Sequence, residues 1–113
     1  MTQITGITLN PKQSLTLVLT NGGQATLYLE YMNGQQGWFY NISYGTWVSG
    51  YRRLTVSANL LRAFRNIIPF GLGVMTTDGY EPIFINDFQN GRASLFLLNQ
   101  SDMASFEGIL SVN

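Results

Sequence analysis

The chain contains no cysteine and no histidine, and Lys12 is its only lysine. Without cysteine there is no disulfide framework and no thiolate nucleophile. With histidine missing too, zinc sites built on thiolate or imidazole and imidazole acid–base chemistry are excluded. Charge is scarce as well: charged residues make up 11% of the chain, against about 25% in ordinary globular domains. Six basic and six acidic residues cancel, so no global field draws the protein onto nucleic acid or anionic lipid. No run approaches the roughly 18 apolar residues that a membrane helix needs. The first residues lack the basic-then-apolar pattern of a signal peptide. The expectation is a soluble, unprocessed protein with a single β domain over 1–113, its tail (100–113) available to a partner.

What is present is mostly alternation. The stretch "SLTLVLTNGGQATLYLEYMNGQQGWFYNISY" (Ser14 to Tyr44) holds three alternating runs separated by two glycine-rich breaks. Alternation with period two is the mark of a half-buried strand, and Asn21-Gly22-Gly23 supplies the positive φ of a tight hairpin. Strands are therefore expected at Leu15–Thr20, Ala25–Met32 and Trp38–Tyr44, as an antiparallel meander. A short strand at Ile4–Leu9 should precede them, closed by Pro11, which lacks an amide donor. Beyond Tyr44, the punctuation by Gly45 and Gly50 predicts a bend and then a strand near Tyr51–Val56. Leu60, Leu61 and Phe64 lie at helical spacing after a Ser57 or Asn59 cap, which predicts one short helix over Ala58–Asn66, stopped by Pro69. Strands at Leu72–Thr77 and Ala93–Asn99 follow, with turns at Asp78-Gly79 and Gln89-Asn90-Gly91 and a strand or loop around Ile83–Ile85. The tail is expected to hold a helical turn capped by Ser101 or Asp102, then a short apolar run. The fold class is mainly β: a small antiparallel β-barrel or sandwich with one short helix at about residues 58–66.

The reactive inventory is thin. Asp78, Glu81 and Asp87 are close in sequence and suggest an acid pair or an oxygen-ligand metal site, but "DGYEPIFIND" lacks the strict alternation of a calcium loop. Asp78-Gly79 matches an ordinary turn in which Asp bonds nearby backbone, and that reading is favoured. Serines and threonines have no histidine to activate them, so a serine hydrolase is not expected. No catalytic residue, cofactor site or metal site is assigned, and the protein is read as a non-enzyme.

The charge concentration lies in Arg52, Arg53, Arg62 and Arg65. With Trp47 and Tyr51 they suggest a surface for single-stranded nucleic acid on a barrel of the OB type. The competing reading is a protein–protein interface, where arginine is enriched beside aromatic residues and methionine. Zero net charge and a single lysine favour the interface, so nucleic acid is not expected as a specific ligand.

The second parity of the meander also needs a reason. One parity is plainly core: Leu15, Leu17, Leu19, Leu27, Leu29, Tyr31, Trp38, Tyr40, Ile42, Tyr44. Trp38, Tyr40, Tyr44, Phe64, Phe96 and Phe106 are the aromatic residues expected inside. The other parity carries Val18, Tyr28, Met32 and Phe39 among Thr, Asn and Ser, and these four are the candidate contacts to a neighbour.

The order of features resembles a family of small baseplate plug proteins from contractile-tailed bacteriophages, cyanophages included. The resemblance runs from "ITGITLNPKQSLTLVL" through "GGQATLYLEYM", "GWFYNISY" and "GYRRLTVSANLLRAF" to "FGLGVMTTD", "DGYEPIF" and "ASLFLLN", roughly Ile4 to Asn99. It implies a structural virion protein, assembled in the host cytoplasm and seated on the tail axis at the centre of the baseplate. There it would close the hub or tube lumen against hub, tail-tube and tape-measure proteins until the sheath contracts. Three or six copies would follow the symmetry of that axis.

Overall fold

The computed structural model describes residues 1–110, with side chains described as far as Ser105. Two antiparallel sheets face each other. The larger contains β2 (Lys12–Val18), β3 (Gln24–Met32), β4 (Gly37–Tyr44) and two short strands that both pair with β4, namely β5 (Trp47–Val48) and β6 (Arg52–Arg53). The smaller runs in the order β1-β8-β7, with β1 at Thr2–Ile4, β7 at Gly71–Thr76 and β8 at Ala93–Leu98. Neither sheet closes on itself, so the arrangement is a sandwich and not a barrel.

The meander follows from its alternation. Leu17, Leu27, Leu29, Trp38, Tyr40 and Ile42 are all buried, and they meet Leu72, Val74 and Leu95 of the smaller sheet in one core. The segment between the sheets adds Leu54, Leu61, Ile68 and Phe70. Edge-to-face contacts tie the rings together: Tyr31 to Trp38 at 5.4 Å and Tyr44 to Phe70 at 5.5 Å between centroids. Burial raises the pKa of the Tyr40 hydroxyl, and the nearby Arg52 charge only partly offsets that.

Several sequence expectations move. The first strand is Thr2–Ile4, not Ile4–Leu9. Residues 5–10 form a loop held by Gln13, whose side-chain amide donates to Thr8 O (3.0 Å) and Asn10 O (2.8 Å) while its Oε1 accepts from Thr8 N (3.0 Å). The strand expected at 51–56 shrinks to Arg52–Arg53, and Trp47–Val48, read as a bend, is itself a strand. The helix expected over 58–66 is a single 3-10 turn at Arg62–Phe64. Its first residues are committed elsewhere. Leu60 N donates to Leu72 O (2.7 Å), and Asn59 Oδ1 accepts from both Leu61 N (3.0 Å) and Leu72 N (3.1 Å). Backbone that pairs with β7 cannot also begin an α-helix. Two glycines of β7 make this approach possible: a Cβ at Gly71 would lie 2.6 Å from Asn59 Oδ1, and one at Gly73 would lie 3.0 Å from Ala58 O.

The α-helix of the fold, α1 (Gln100–Leu110), comes directly after β8 and is longer than the one turn expected there. Its cap is Asn99 and not Ser101 or Asp102. Asn99 Oδ1 accepts from Asp102 N (2.8 Å) and Asp102 Oδ2 accepts from Asn99 N (3.1 Å), a reciprocal capping box. Asp102 also binds the α-amine of Met1 at 3.0 Å, which joins the start of β1 to the head of α1. Leu98 and Met103 are buried beside this junction. Phe96, expected in the core, stands on the opposite face of β8 from Leu95. The Phe106 side chain and the end of the apolar run predicted for the tail lie outside the described residues.

Candidate interaction surfaces

The outer face of the five-stranded sheet is laid out in rows by the strand register. Lys12, Glu30, Phe39 and Arg53 form one row, and Ser14, Tyr28 and Asn41 form the next. Val18 stands opposite Gln24, two rows beyond Tyr28, and Met32 stands opposite Gly37. All four residues singled out by parity are therefore on this face. They do not form one patch. Val18 and Tyr28 are exposed, at 66% and 41%, while Met32 and Phe39 are half-buried. Ser14, Thr16, Thr26, Asn41 and Ser43 fill the space between, so the surface is polar with aromatic and aliphatic islands.

Phe39 is covered by a neighbour on the same sheet. The Arg53 guanidinium lies over its ring, 5.7 Å from the centroid, and donates to Gln35 O (3.0 Å) and Gln36 O (2.7 Å). These carbonyls belong to the β3–β4 connection, where Gln36 takes a left-handed conformation at φ 48°. A Cβ at Gly37 would come within 2.5 Å of Arg53 Nη2, so the glycine leaves the room in which the guanidinium sits. Arg53 thus clamps a turn from the face on which it was expected to meet a partner.

The other arginines diverge. Arg52 points away from Arg53, lies 5.0 Å from the Phe64 ring centroid, and Phe64 in turn packs edge-to-face on Trp47 at 5.0 Å. Arg62 is exposed and Arg65 half-buried. Tyr51 is exposed, but the Trp47 ring already packs against Phe64. A stacking groove for single strands needs free ring faces lined by cations on one side, and Arg52 and Arg53 sit on opposite sides of their strand.

The carboxylates cluster around Arg92, which the sequence reading did not single out. Arg92 Nε donates to Asp78 Oδ2 (3.1 Å), Nη1 to Asp87 Oδ2 (2.8 Å), and Nη2 to the carbonyls of Glu81 (3.2 Å) and Tyr80 (3.4 Å). Asp87 is almost fully buried and also accepts from Phe84 N at 2.9 Å. Glu81 turns away to accept from Val56 N at 2.9 Å. The Tyr80 amide, followed by Arg92, holds the Asp78 carboxyl below its ordinary pKa. The expected Asp78-Gly79 turn is there, and the surrounding loop presents Tyr80 and Phe84 to solvent. Among the described residues no group of three or more carboxylates is placed to hold a metal ion, and no helix is long and apolar enough to cross a membrane. The signal for the network was present as one arginine directly after the Asn90-Gly91 turn, within reach of two nearby aspartates.

The smaller sheet carries an apolar hollow of about 600 Å³ on its outer face, lined by Met1, Val56, Met75, Phe96 and Leu98 with Gly73 at its floor. No protein-family model matches the chain, and a search of curated proteins gives no match either.

Proposed function

We propose that the chain is a structural protein of a contractile phage tail, a plug at the centre of the baseplate that closes the lumen of the hub or tube. On this reading it contacts hub, tail-tube and tape-measure proteins, is repeated three or six times around the tail axis, and acts by being displaced when the sheath contracts. The observation that carries the reading is Tyr28, 41% exposed on the middle of a rigid, sparsely charged sheet face. A large amphipathic ring held by a strand gives contact area at little entropic cost, which is why tyrosine is common at protein interfaces. The ordered motifs from Ile4 to Asn99 supply the family. The position of this chain in purified particles, found by electron microscopy at side-chain resolution, tests the proposal. Density on the tail axis is expected, and density elsewhere or none overturns it. Tyr28→Asp should keep the far-ultraviolet circular dichroism of the parent and lower incorporation into particles by about tenfold or more. Tight oligonucleotide binding by the isolated protein that weakens with salt and in an Arg52→Ala/Arg53→Ala variant would instead support a single-stranded nucleic-acid module.

A further inference from the structure

The sheet edges of this fold are treated unequally. β1 is only three residues long. The outer edge of β7 is covered by residues 57–60, with Ser57 and Val74 exchanging two backbone bonds at 3.1 and 2.9 Å. The far edge of β4 is covered by β5 and β6 and, between and after them, by Ser49 N donating to Ile42 O (2.9 Å) and Leu54 N donating to Trp38 O (2.8 Å). β2 runs for seven residues with β3 on one side, and among the described residues no strand lies on the other.

Antiparallel pairing turns the backbone groups of alternate residues toward the partner strand. Leu19 N donates to Gly23 O (2.9 Å) and Tyr31 N to Pro11 O (2.7 Å), which sets the odd-numbered residues of β2 toward β3. The amides and carbonyls of Ser14, Thr16 and Val18 therefore point outward. The Lys12 amide points the same way, but Asn10 Oδ1 accepts from it at 3.1 Å. Exposed edges are usually guarded by proline, lysine or a bulge. Pro11 and Lys12 guard only the start, and the register from Lys12–Glu30 to Val18–Gln24 is unbroken.

We infer that this edge pairs with the same edge of a second copy of the chain, antiparallel, about a two-fold axis at Thr16. The three open residues are symmetric about Thr16. Such an axis sets Thr16 opposite its mate and Ser14 opposite Val18 of the second copy, so every outward backbone group finds a partner. On the inner side, half-buried Leu15 gains Leu17 of the second copy as its neighbour. Lys12 is the one charged residue on β2, and the two copies of it fall at opposite ends, about 27 Å apart at ~3.4 Å per residue. That is well beyond the ~10 Å over which salt lets charges act, and the zero net charge of each copy adds no repulsion. The inference rests on the edge alone, independently of the baseplate reading, and concerns the free protein.

The absence of cysteine makes the register directly testable. Thr16→Cys introduces the sole thiol and is expected to form a disulfide-linked dimer on mild oxidation. Ser14→Cys, whose mate would lie about 14 Å away along the strand, is expected to stay uncross-linked, and the opposite ranking overturns the register. Sedimentation equilibrium should give a dimer for the parent chain at about 10–100 µM, the range in which weak pairings populate. Thr16→Lys should give a monomer with unchanged circular dichroism. A parent chain that is monomeric throughout that range overturns the self-pairing and leaves the edge to a foreign strand, and a Thr16→Lys dimer overturns the edge itself.

Discussion

Arg92 is the side chain on which the loop between β7 and β8 depends. It is the cation for Asp87, whose carboxylate is shut away from water, and it gathers Asp78 and the carbonyls of Tyr80 and Glu81 at the same time. A buried carboxylate left without its cation is costly, so Arg92→Leu is expected to lower the unfolding free energy by about 3 kcal/mol or more. Urea unfolding followed by tryptophan fluorescence reads this, and a loss below about 1 kcal/mol would mean that the network is ornamental. The cluster was hard to read from sequence because its acids are separated by turns whose path decides which of them meet the arginine. Glu81, equally near in sequence, turns away to the Val56 amide. Tyr28 was easier: parity alone put it on the outer face, and it stands there.

At the scale of elements, Arg53 links β6 to the β3–β4 turn, and Gly37 keeps the space for it open. Gly37→Ala should push the guanidinium off the Gln35 and Gln36 carbonyls, and Arg53→Ala removes it. Each is expected to cost about 1–3 kcal/mol, the range for losing hydrogen bonds to a charged donor. Because both changes break one contact, the double variant should cost little more than the worse single, a coupling that a double-mutant cycle measures. Costs that simply add would show that the glycine and the arginine act separately. The meander itself was legible, since alternation and the Asn21-Gly22-Gly23 turn are local signals. The segment over 58–66 was not. Its apolar spacing suits a helix, but β7 takes the Leu60 amide and the Asn59 side chain, and that pairing is long-range. The two short strands on β4 were blurred for the same reason, since a two-residue strand is set by its partner more than by its own sequence.

For the whole molecule, scarcity of charge gives a simple titration. With no histidine, no ordinary side chain changes charge between about pH 5 and 8, so stability should be nearly flat there. Asp78 and Asp102 are held below the ordinary carboxyl value of 3.8, the first by the Tyr80 amide and the second mainly by the Met1 amine and then the Asn99 amide. A carboxyl with a depressed folded pKa stabilises the fold above its unfolded value, and that contribution is lost as the pH falls through the folded one. Stability is thus expected to decline only below about pH 4, as the carboxylates protonate and the six basic residues are left uncompensated. Thermal melts across pH 2–7 would show it, and Asp102→Asn, which keeps a capping oxygen but loses the ion pair, should flatten the acid limb. A decline centred near pH 6 would contradict the assignment. Sandwich or barrel could not be chosen from sequence, since both satisfy the same alternation. The choice is made by β1 pairing with β8 and not with β2.

That pairing also sets an order of events. Thr2 sits opposite Leu97, and Ile4 opposite Leu95, so the smaller sheet joins nearly the two ends of the chain. Contacts this distant must wait for a long loop to close, whereas β2, β3 and β4 meet through short turns. During synthesis the meander can form while β1 has no strand to join, and Ile4 and Ile7 stay in water until β8 has left the ribosome. The slow step of folding, on this topology, is the return of the first strand to the last.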